Sequence, residues 1–233
     1  LDAYAMIATR EPSLHVRVHE ATPAWFMEKC METLQRTGTR PAFYGDKTVI
    51  DALMKAGYSE AHARDYAVIG CTELASQGRT ANSADAALMN LPLCLEQALN
   101  EGRNFRGKRQ GATTPPVSTM RSMDDVIAAY RLQVKCAVDD MAKVMGYLEE
   151  AVRQHRTTPV NSLMTDGCLR RGRDITSGSA DYNFTSVQAV GLADAGDSLH
   201  AIHRLVFEEQ RYTLPQLVDI LRNDFKGHEA LAI

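Results

Sequence analysis

The chain contains 233 residues, of which 45% are hydrophobic and 24% are charged, and its formal net charge at pH 7 is −3. This composition is typical of a globular protein, and the small negative charge gives no electrostatic basis for binding nucleic acid or an anionic membrane. The apolar runs are shorter than the ~20 residues that a membrane-spanning helix needs, and no signal sequence opens the chain. We therefore expect a soluble cytoplasmic protein.

The first hundred residues predict alternating strands and helices. Apolar alternation and short apolar runs bounded by turn residues indicate strands at 14–18, 41–44 and 66–70. Capping residues followed by amphipathic spacing indicate helices at 22–36, 46–56, 59–65 and 85–100. The residues from about 101 to 118 are rich in glycine, arginine and proline, which favours a connecting loop.

One long predicted helix dominates the second half. Apolar residues recur every three or four positions from Val126 to Val152, after an acidic capping box that begins at Ser122. This spacing predicts a continuous buried stripe along about eight turns. A helix at 160–171, a glycine-rich segment in which Asp174 is expected to hold a turn, a strand at 187–192 and two closing helices follow. The pattern predicts a mixed α/β fold with far more helix than strand.

The chain has five cysteines and seven histidines. An odd number of cysteines without a C-x-x-C pair does not fit a disulfide framework or a zinc site, and the histidines show no metal-ligand spacing. Four cysteines lie in apolar or helical patterns and are predicted core residues: Cys30, Cys94, Cys136 and Cys168. Cys71 differs, because it follows an apolar strand and precedes an acid by two residues.

The segment Gly70-Cys71-Thr72-Glu73 is the strongest candidate for chemistry. In extended backbone, side chains two positions apart project from the same side, which would pair the Cys71 thiol with the Glu73 carboxylate. Gly70 permits a positive φ where the chain turns. Such a pair joins a nucleophile or hydrogen-atom donor to a base. Taken alone, it also fits the commoner arrangement of a buried cysteine near a surface glutamate.

Five segments of the chain carry a resemblance to one family. They are Val16-Arg-Val-His19, Pro41-Ala-Phe-Tyr44, Gly70-Cys-Thr-Glu73, the run from Met164 to Thr176, and Tyr182-Asn-Phe-Thr185 with the run from Val190 to Leu199. In this order they resemble glycyl radical enzymes related to pyruvate formate-lyase, and most of all the dehydratase and lyase branch that includes glycerol and propanediol dehydratases. The resemblance implies that residues 1–233 form a helix-rich part of one ten-stranded catalytic barrel, without a separate domain boundary.

The resemblance implies roles for three residues. In this branch a cysteine forms a transient thiyl radical and the glutamate two residues further on is the base, which implies that Cys71 and Glu73 are catalytic. The cysteine would abstract a hydrogen atom from a small hydroxylated substrate, and the glutamate would assist elimination. Asp85 matches an aspartate that binds a substrate hydroxyl, although a helix-capping role at this position fits as well.

Departures from the family pattern leave the substrate open. Gly70 stands where formate-lyase has a second cysteine, which argues against thiolytic cleavage of pyruvate, so a formate acetyltransferase-like C–C lyase is only an alternative. Thr72 and Leu74 replace the usual valine and proline. Asp85 is preceded by Ala84, whereas diol dehydratases have a histidine there.

The resemblance also implies a radical source and partners. The radical is stored on a glycine in a C-terminal loop that this chain lacks, and a radical S-adenosylmethionine iron–sulfur activase installs it; no other cofactor and no metal are expected. The implied partners are this activase, a second copy of the subunit and a small-molecule substrate, in anaerobic bacterial cytoplasm or a microcompartment. The 233 residues alone are expected to be inactive, and a non-catalytic structural or interaction piece is the alternative interpretation.

Overall fold

The computed structural model describes residues 1–7 and 11–231. The strands are β1 (His15–Val18), β2 (Ala42–Gly45), β3 (Tyr66–Ile69), β4 (Glu73–Ser76), β5 (Thr80–Asn90) and β6 (Tyr182–Val190). The helices are α1 (Asp2–Ile7), α2 (Ala24–Thr37), α3 (Asp46–Lys55), α4 (Glu60–Arg64), α5 (Leu91–Ala98), α6 (Met123–His155), α7 (Pro159–Leu163), α8 (Cys168–Arg171), α9 (Leu192–Ile202) and α10 (Leu214–Arg222). A π-helical turn, His203–Glu208, continues α9.

The chain folds into two compact units. Unit 1 comprises Leu1–Asn82 and Arg156–Phe184, and unit 2 comprises Ser83–His155 and Thr185–Ile233. The chain passes from one unit to the other within β5 and within β6, and these two strands pair with each other. Across the described ranges the strands form three two-stranded sheets, β1–β2, β3–β4 and β5–β6. The prediction that residues 1–233 belong to one barrel domain stays a prediction.

Unit 1 contains two complete strand pairs. β1 and β2 are parallel, with Val16 opposite Phe43. β3 and β4 are antiparallel, with Ile69 opposite Glu73. All four strands are four residues long, and β4 was not predicted from the sequence. The strands predicted around residues 15, 42 and 66 are confirmed.

A small apolar core fixes β3 against the helices of unit 1. Its buried residues come from α3, α4, β3 and the turn between the two helices: Val49, Ile50, Leu53, Tyr58, Ala63 and Tyr66. Tyr66 is the first residue of β3 and is only 3% exposed. Burial of a large aromatic side chain stabilises by a few kcal/mol, on the order of 25 cal/mol per Å² of apolar surface. The start of the strand that leads to Cys71 is therefore firmly anchored.

Unit 2 is a helical body around a second core. Its buried residues come mainly from α5, α6, α9 and α10: Leu95, Ala98, Leu99, Met120, Val126, Ala129, Ile202, Leu214, Leu217 and Val218. Helix α10 begins with a capping box, in which the Thr213 hydroxyl accepts from the backbone of Gln216 and the Gln216 side chain accepts from the backbone of Thr213. None of the helices in the described residues combines the length and the apolar character needed to cross a bilayer.

The helix predicted at 85–100 is wrong in its first part. Residues 85–90 belong to β5, and α5 begins only at Leu91, where the Asn90 side chain accepts from the backbone N–H of Leu93 at 3.0 Å. Pro92 occupies the first helical turn, a position that suits its fixed φ. β5 pairs with β6, and such tertiary pairing overrides a weak local helix preference.

The long helix is confirmed, but its predicted stripe is only partly buried. Val126 is fully buried, whereas Val138, Leu148 and Val152 are 45%, 51% and 39% exposed. Periodic spacing indicates a helix and its apolar face, but it does not indicate which elements cover that face. Several apolar residues in the C-terminal half of α6 are therefore exposed, whereas Met141 and Met145 are half-buried.

Candidate active site

Cys71 lies in a three-residue loop that joins β3 to β4. The strand pairing closes with Ile69 opposite Glu73, so Gly70, Cys71 and Thr72 form the turn. Gly70 has φ +57°, a left-handed conformation that costs a residue with a Cβ roughly 1–2 kcal/mol. The expectation that Cys71 and Glu73 share extended backbone is wrong, because the chain reverses direction at this point.

The turn nevertheless brings the two predicted catalytic residues together. Oε2 of Glu73 accepts hydrogen bonds from the backbone N–H of Cys71 at 2.8 Å and of Thr72 at 3.0 Å. Hydrogen bonds to an ionised carboxylate are roughly twice as strong as neutral ones. Cys71 is exposed to solvent, and Glu73 is half-buried. The carboxylate is thus held at the backbone of the residue that carries the thiol.

Gly70 leaves the space that this carboxylate occupies. A Cβ at position 70 would lie 2.6 Å from Oε2 of Glu73, which is closer than two such atoms approach without displacement. The glycine therefore serves both the left-handed turn and the carboxylate contact. This second role was not predicted from the sequence.

Gly70→Ala is expected to displace the Glu73 carboxylate and to expose the loop amides. Amide hydrogen exchange at Cys71 and Thr72, measured by mass spectrometry, should accelerate about tenfold, because the variant loses the equivalent of roughly one net hydrogen bond. Gly78→Ala is the matched control, because Gly78 also has a positive φ (+67°) but a Cβ there would meet its nearest atom at 3.8 Å. Equal acceleration at these amides in both variants would contradict the contact.

Two side chains from the β1–β2 pair approach the same loop. Nε2 of His15 lies 2.9 Å from the carbonyl oxygen of Cys71, and because a carbonyl only accepts, Nε2 carries the hydrogen. The His15 ring packs edge-on against the Tyr44 ring, with centroids 5.7 Å apart. Burial raises the pKa of Tyr44; the charge of Arg40 acts against this shift, and the nearby acidic groups of Glu73 and Cys71 act with it. Tyr44 therefore lies beside the predicted catalytic pair.

His15 and Tyr44 are site residues that sequence reasoning missed. His15 was considered only for metal-ligand spacing, and Tyr44 only as part of a resembling segment. The alternation in His15-Val-Arg17 was the available signal, since it places both polar side chains on one face of β1. What that face contacts depends on a strand about fifty residues further along the chain.

Arg17 fixes the beginning of β3. Its guanidinium forms a two-point contact with Asp46, at 2.8 and 2.9 Å, and donates to the carbonyl oxygens of Tyr66 at 3.0 Å and Arg64 at 3.1 Å. The Tyr66 hydroxyl donates to Asp46 at 2.8 Å. Hydrogen bonding from Arg17 holds the pKa of Asp46 below its ordinary value. Burial raises the pKa of Tyr66 to about 12, and the hydrogen bond to Asp46 contributes to this increase.

The resembling run from Met164 to Thr176 contacts the turn after β4. The backbone N–H of Asp166 donates to the carbonyl of Gly78 at 2.7 Å, and that of Tyr182 donates to the carbonyl of Arg79 at 3.0 Å. The Arg79 side chain bonds Asp65 at 2.7 Å, just before β3. Backbone and side-chain contacts thus tie residues 164–182 to the hairpin that carries Cys71. The single helix predicted at 160–171 is instead α7 and α8, interrupted by a turn.

Asp174 holds this segment together. Its carboxylate accepts from the backbone N–H and hydroxyl of Thr176, at 3.0 and 2.7 Å, from the Ser162 hydroxyl at 2.8 Å and from the backbone of Thr158 at 3.0 Å. Burial acts to raise the pKa of Asp174, but these hydrogen bonds outweigh it and hold the pKa at about 2. The expected turn-holding role is supported.

Asp174→Asn is expected to destabilise unit 1 and to make its stability depend less on pH in the acid range. Because the folded-state pKa lies below the ordinary 3.8, the stabilisation is fully present above about pH 4 and is lost as the pH falls towards 2. Thermal unfolding of the full-length protein should show a loss of about 1–3 kcal/mol at pH 7 and a smaller decline between pH 4 and pH 2 than in the wild type. An unchanged acid decline would contradict this role.

Asp85 belongs to a different unit from the other two predicted residues. It lies on β5 in unit 2 and is exposed, whereas Cys71 and Glu73 lie in unit 1. The helix-capping alternative is wrong, because the chain is extended through Asp85 and α5 is capped by Asn90. A substrate-binding role for Asp85 stays a prediction.

Four of the five cysteines were expected in the core. Cys30, Cys94 and Cys168 are buried, Cys136 is half-buried, and Cys71 is exposed. Burial raises the pKa of the Cys30 and Cys94 thiols, which makes them poorer nucleophiles. Cys71 is therefore the exposed thiol of the described residues, as its loop position requires.

Comparison with solved structures defines the class of protein. The chain matches the glycerol-bound form of the B12-independent glycerol dehydratase from Clostridium butyricum with a TM-score of 0.89 and 34% identity, over 99% of this chain and 30% of that one. It matches a glycyl radical enzyme from Archaeoglobus fulgidus with a TM-score of 0.86 and 33% identity, over 99% of this chain and 29% of that one. The fold is that of the glycyl radical enzymes, and the described residues form a mixed α/β part of it without a closed barrel.

The sequence comparisons define the family. The family described as pyruvate formate lyase-like matches residues 1–232, so the chain belongs to this family. The (2S)-3-sulfopropanediol dehydratase of Klebsiella oxytoca is 33% identical over 232 residues, which cover 99% of this chain and 28% of that protein. The trans-4-hydroxy-L-proline dehydratase of Clostridioides difficile is 29% identical, with coverages of 99% and 29%. The predicted resemblance is confirmed, and the chain spans less than a third of the length of these relatives.

Proposed function

We propose that the full-length protein is a glycyl radical dehydratase or lyase, in which Cys71 and Glu73 carry out radical elimination on a small hydroxylated substrate. The observation that carries the proposal is the Glu73 carboxylate bound to the backbone of Cys71 at an exposed loop, in a chain of this family. Relatives named as dehydratases of a sulfonated diol and of hydroxyproline support the reaction class.

Cys71 performs the hydrogen transfers in this proposal. A glycyl radical outside these residues, installed by a radical S-adenosylmethionine activase, supplies the unpaired electron. As a thiyl radical, Cys71 takes a hydrogen atom from the carbon that bears the substrate hydroxyl, which forms an S–H bond and leaves a carbon radical. The S–H bond and a C–H bond next to oxygen are of similar strength, so the transfer is reversible and the thiol acts as a catalyst.

Glu73 performs the proton transfer. It takes the proton of the substrate hydroxyl, and the resulting ketyl radical anion expels the neighbouring group with its bonding electron pair. The proton leaves with that group as water or another protonated leaving group. Cys71 then returns its hydrogen atom, which gives the carbonyl product and restores the thiyl radical. A positioned general base of this kind contributes about 10²- to 10⁴-fold to the rate.

The remaining parts of the proposal concern the substrate and the partners. Asp85 binds a substrate hydroxyl, the activase and a second subunit copy are the partners, and the protein works in anaerobic cytoplasm or a microcompartment. Residues 1–233 alone are inactive, because the radical-bearing glycine of the family lies in a loop that they do not contain. The sulfonated and cyclic substrates named for the relatives support a small, hydroxylated and polar substrate class.

The test is turnover by the full-length protein after anaerobic activation. Diols, amino alcohols, hydroxysulfonates and hydroxyproline form the panel, and we expect elimination of at least one of them together with a glycyl radical signal in electron paramagnetic resonance. Cleavage of pyruvate with none of the panel consumed would replace the proposal by the C–C lyase alternative. Absence of any glycyl radical after activation would favour the non-catalytic interpretation.

A further inference from the structure

Strand β1 holds the β3 segment at both of its ends. Arg17 and His15 are two positions apart on β1, and therefore on the same face. Nη1 of Arg17 donates to the carbonyl of Tyr66 at 3.0 Å, and Nε2 of His15 donates to the carbonyl of Cys71 at 2.9 Å. The first contact fixes the start of β3, and the second fixes the loop that follows it.

The backbone of Cys71 is held on both sides by side chains. Its N–H donates to Glu73 at 2.8 Å, and its carbonyl accepts from His15 at 2.9 Å. Fixing both groups fixes the two peptide planes that flank the Cα atom, and with them the direction of the Cα–Cβ bond that carries the thiol. An exposed loop otherwise has no packing that would do this.

The His15 ring is itself restrained. It is half-buried and lies edge-on to Tyr44, and β1 pairs with β2 along its whole length. Edge-on aromatic contacts contribute about 0.5–1.5 kcal/mol beyond burial. The donor therefore belongs to a rigid element, while the group that it holds belongs to a turn.

We propose that His15 is a positioning residue for Cys71: its Nε2–H donor holds the Cys71 carbonyl and directs the thiol towards the substrate. The structural part of this proposal concerns the loop alone, and only its catalytic consequence rests on the proposed function. Hydrogen transfer needs the reacting atoms within about 3–3.5 Å, so a small rotation of the thiol lowers the rate without weakening substrate binding.

Two substitutions separate the donor from the ring. His15→Gln keeps an N–H donor at a similar reach but has no aromatic ring, whereas His15→Phe keeps the ring and its contact with Tyr44 but removes the donor. His155→Phe, at the exposed end of α6 in unit 2, is the matched control for the chemical change. All variants are made in the full-length protein.

The first measurement needs no radical. Amide exchange at Cys71 and Thr72 is expected to accelerate about three- to tenfold in His15→Phe and to stay near the wild-type rate in His15→Gln and His155→Phe. Wild-type exchange in His15→Phe would overturn the proposal. Equal acceleration in His15→Gln and His15→Phe would also overturn it, because a variant that keeps an N–H donor would then protect the amides no better than one that lacks it.

The second measurement uses the activated enzyme. In His15→Phe, kcat should fall about tenfold with KM within about twofold of the wild type, and the primary deuterium isotope effect should rise as hydrogen transfer becomes more rate-limiting. His15→Gln should restore both values. A purely structural role would lower the amount of active protein and leave the isotope effect unchanged, which would contradict positioning. If the proposed function itself is wrong, the wild type shows no turnover while the difference in amide exchange persists.

Discussion

Cys71→Ser in the full-length, activated protein is expected to lower turnover at least about 10⁴-fold, which corresponds to roughly 5.5 kcal/mol of added barrier. The loop should tolerate the change, because Cys71 is exposed and its structural contacts are made by its backbone N–H and carbonyl. A serine O–H bond is much stronger than the substrate C–H bond, so an oxygen radical does not form at this position. The loss would therefore report chemistry and not folding.

Two controls make this result specific. Cys136→Ser changes a half-buried cysteine on α6, where the thiol makes only a weak contact with Asp140 at 3.9 Å, and turnover should be unchanged. The glycyl radical signal should persist in Cys71→Ser, because the proposed function places that radical outside these residues. Substantial turnover by Cys71→Ser, with the radical present, would remove Cys71 from the mechanism.

The part of the site that was predictable is the part that local pattern encodes. The apolar run at 66–69 bounded by Gly70 indicated a strand followed by a turn, and the structure has both. The argument from side-chain alternation failed at the next step, since a single positive φ at Gly70 turns the backbone out of the strand. Hydrogen bonding of the carboxylate to the loop amides is what places Glu73 at Cys71, and the pairing of the thiol with the carboxylate as a catalytic site stays a prediction.

The part that was not predictable depends on contacts distant in sequence. His15 lies 56 residues before Cys71, and its donor role exists only because β1 places it at the loop. Residues 85–90 have a sequence that suits a helix, yet they form a strand because β6, about a hundred residues later, pairs with β5. The same limit applies to α6, whose apolar face was predicted, whereas the exposure of Val138, Leu148 and Val152 on that face was not.

The family resemblance supplied what neither pattern nor geometry provides. A thiol near a carboxylate is compatible with nucleophilic as well as radical chemistry, and the hairpin contacts alone do not distinguish them. Membership of the pyruvate formate lyase-like family supports the radical mechanism that we propose for the pair. The distribution of roles between Cys71 and Glu73 is thus a proposal that only separation of the two transfers can test.

Glu73→Gln should separate those transfers. The amide oxygen of glutamine can still accept from the N–H groups of Cys71 and Thr72, so the loop should keep its conformation while the base is lost. We expect elimination to fall about 10²- to 10⁴-fold. Hydrogen abstraction by Cys71 should continue, and in deuterated water the recovered substrate should gain deuterium from the thiol at the carbon that bears the hydroxyl.

The comparison with two other variants decides the assignment. Cys71→Ser should neither eliminate nor exchange deuterium, and Glu60→Gln, the same change at an exposed glutamate on α4 that pairs with Arg64, should do both at the wild-type rate. Elimination at the wild-type rate by Glu73→Gln would show that another group accepts the proton, and Glu73 would then act only by holding the loop. Exchange without elimination in Glu73→Gln alone assigns the hydrogen atom to Cys71 and the proton to Glu73, since no other division of the two transfers leaves one running while the other stops.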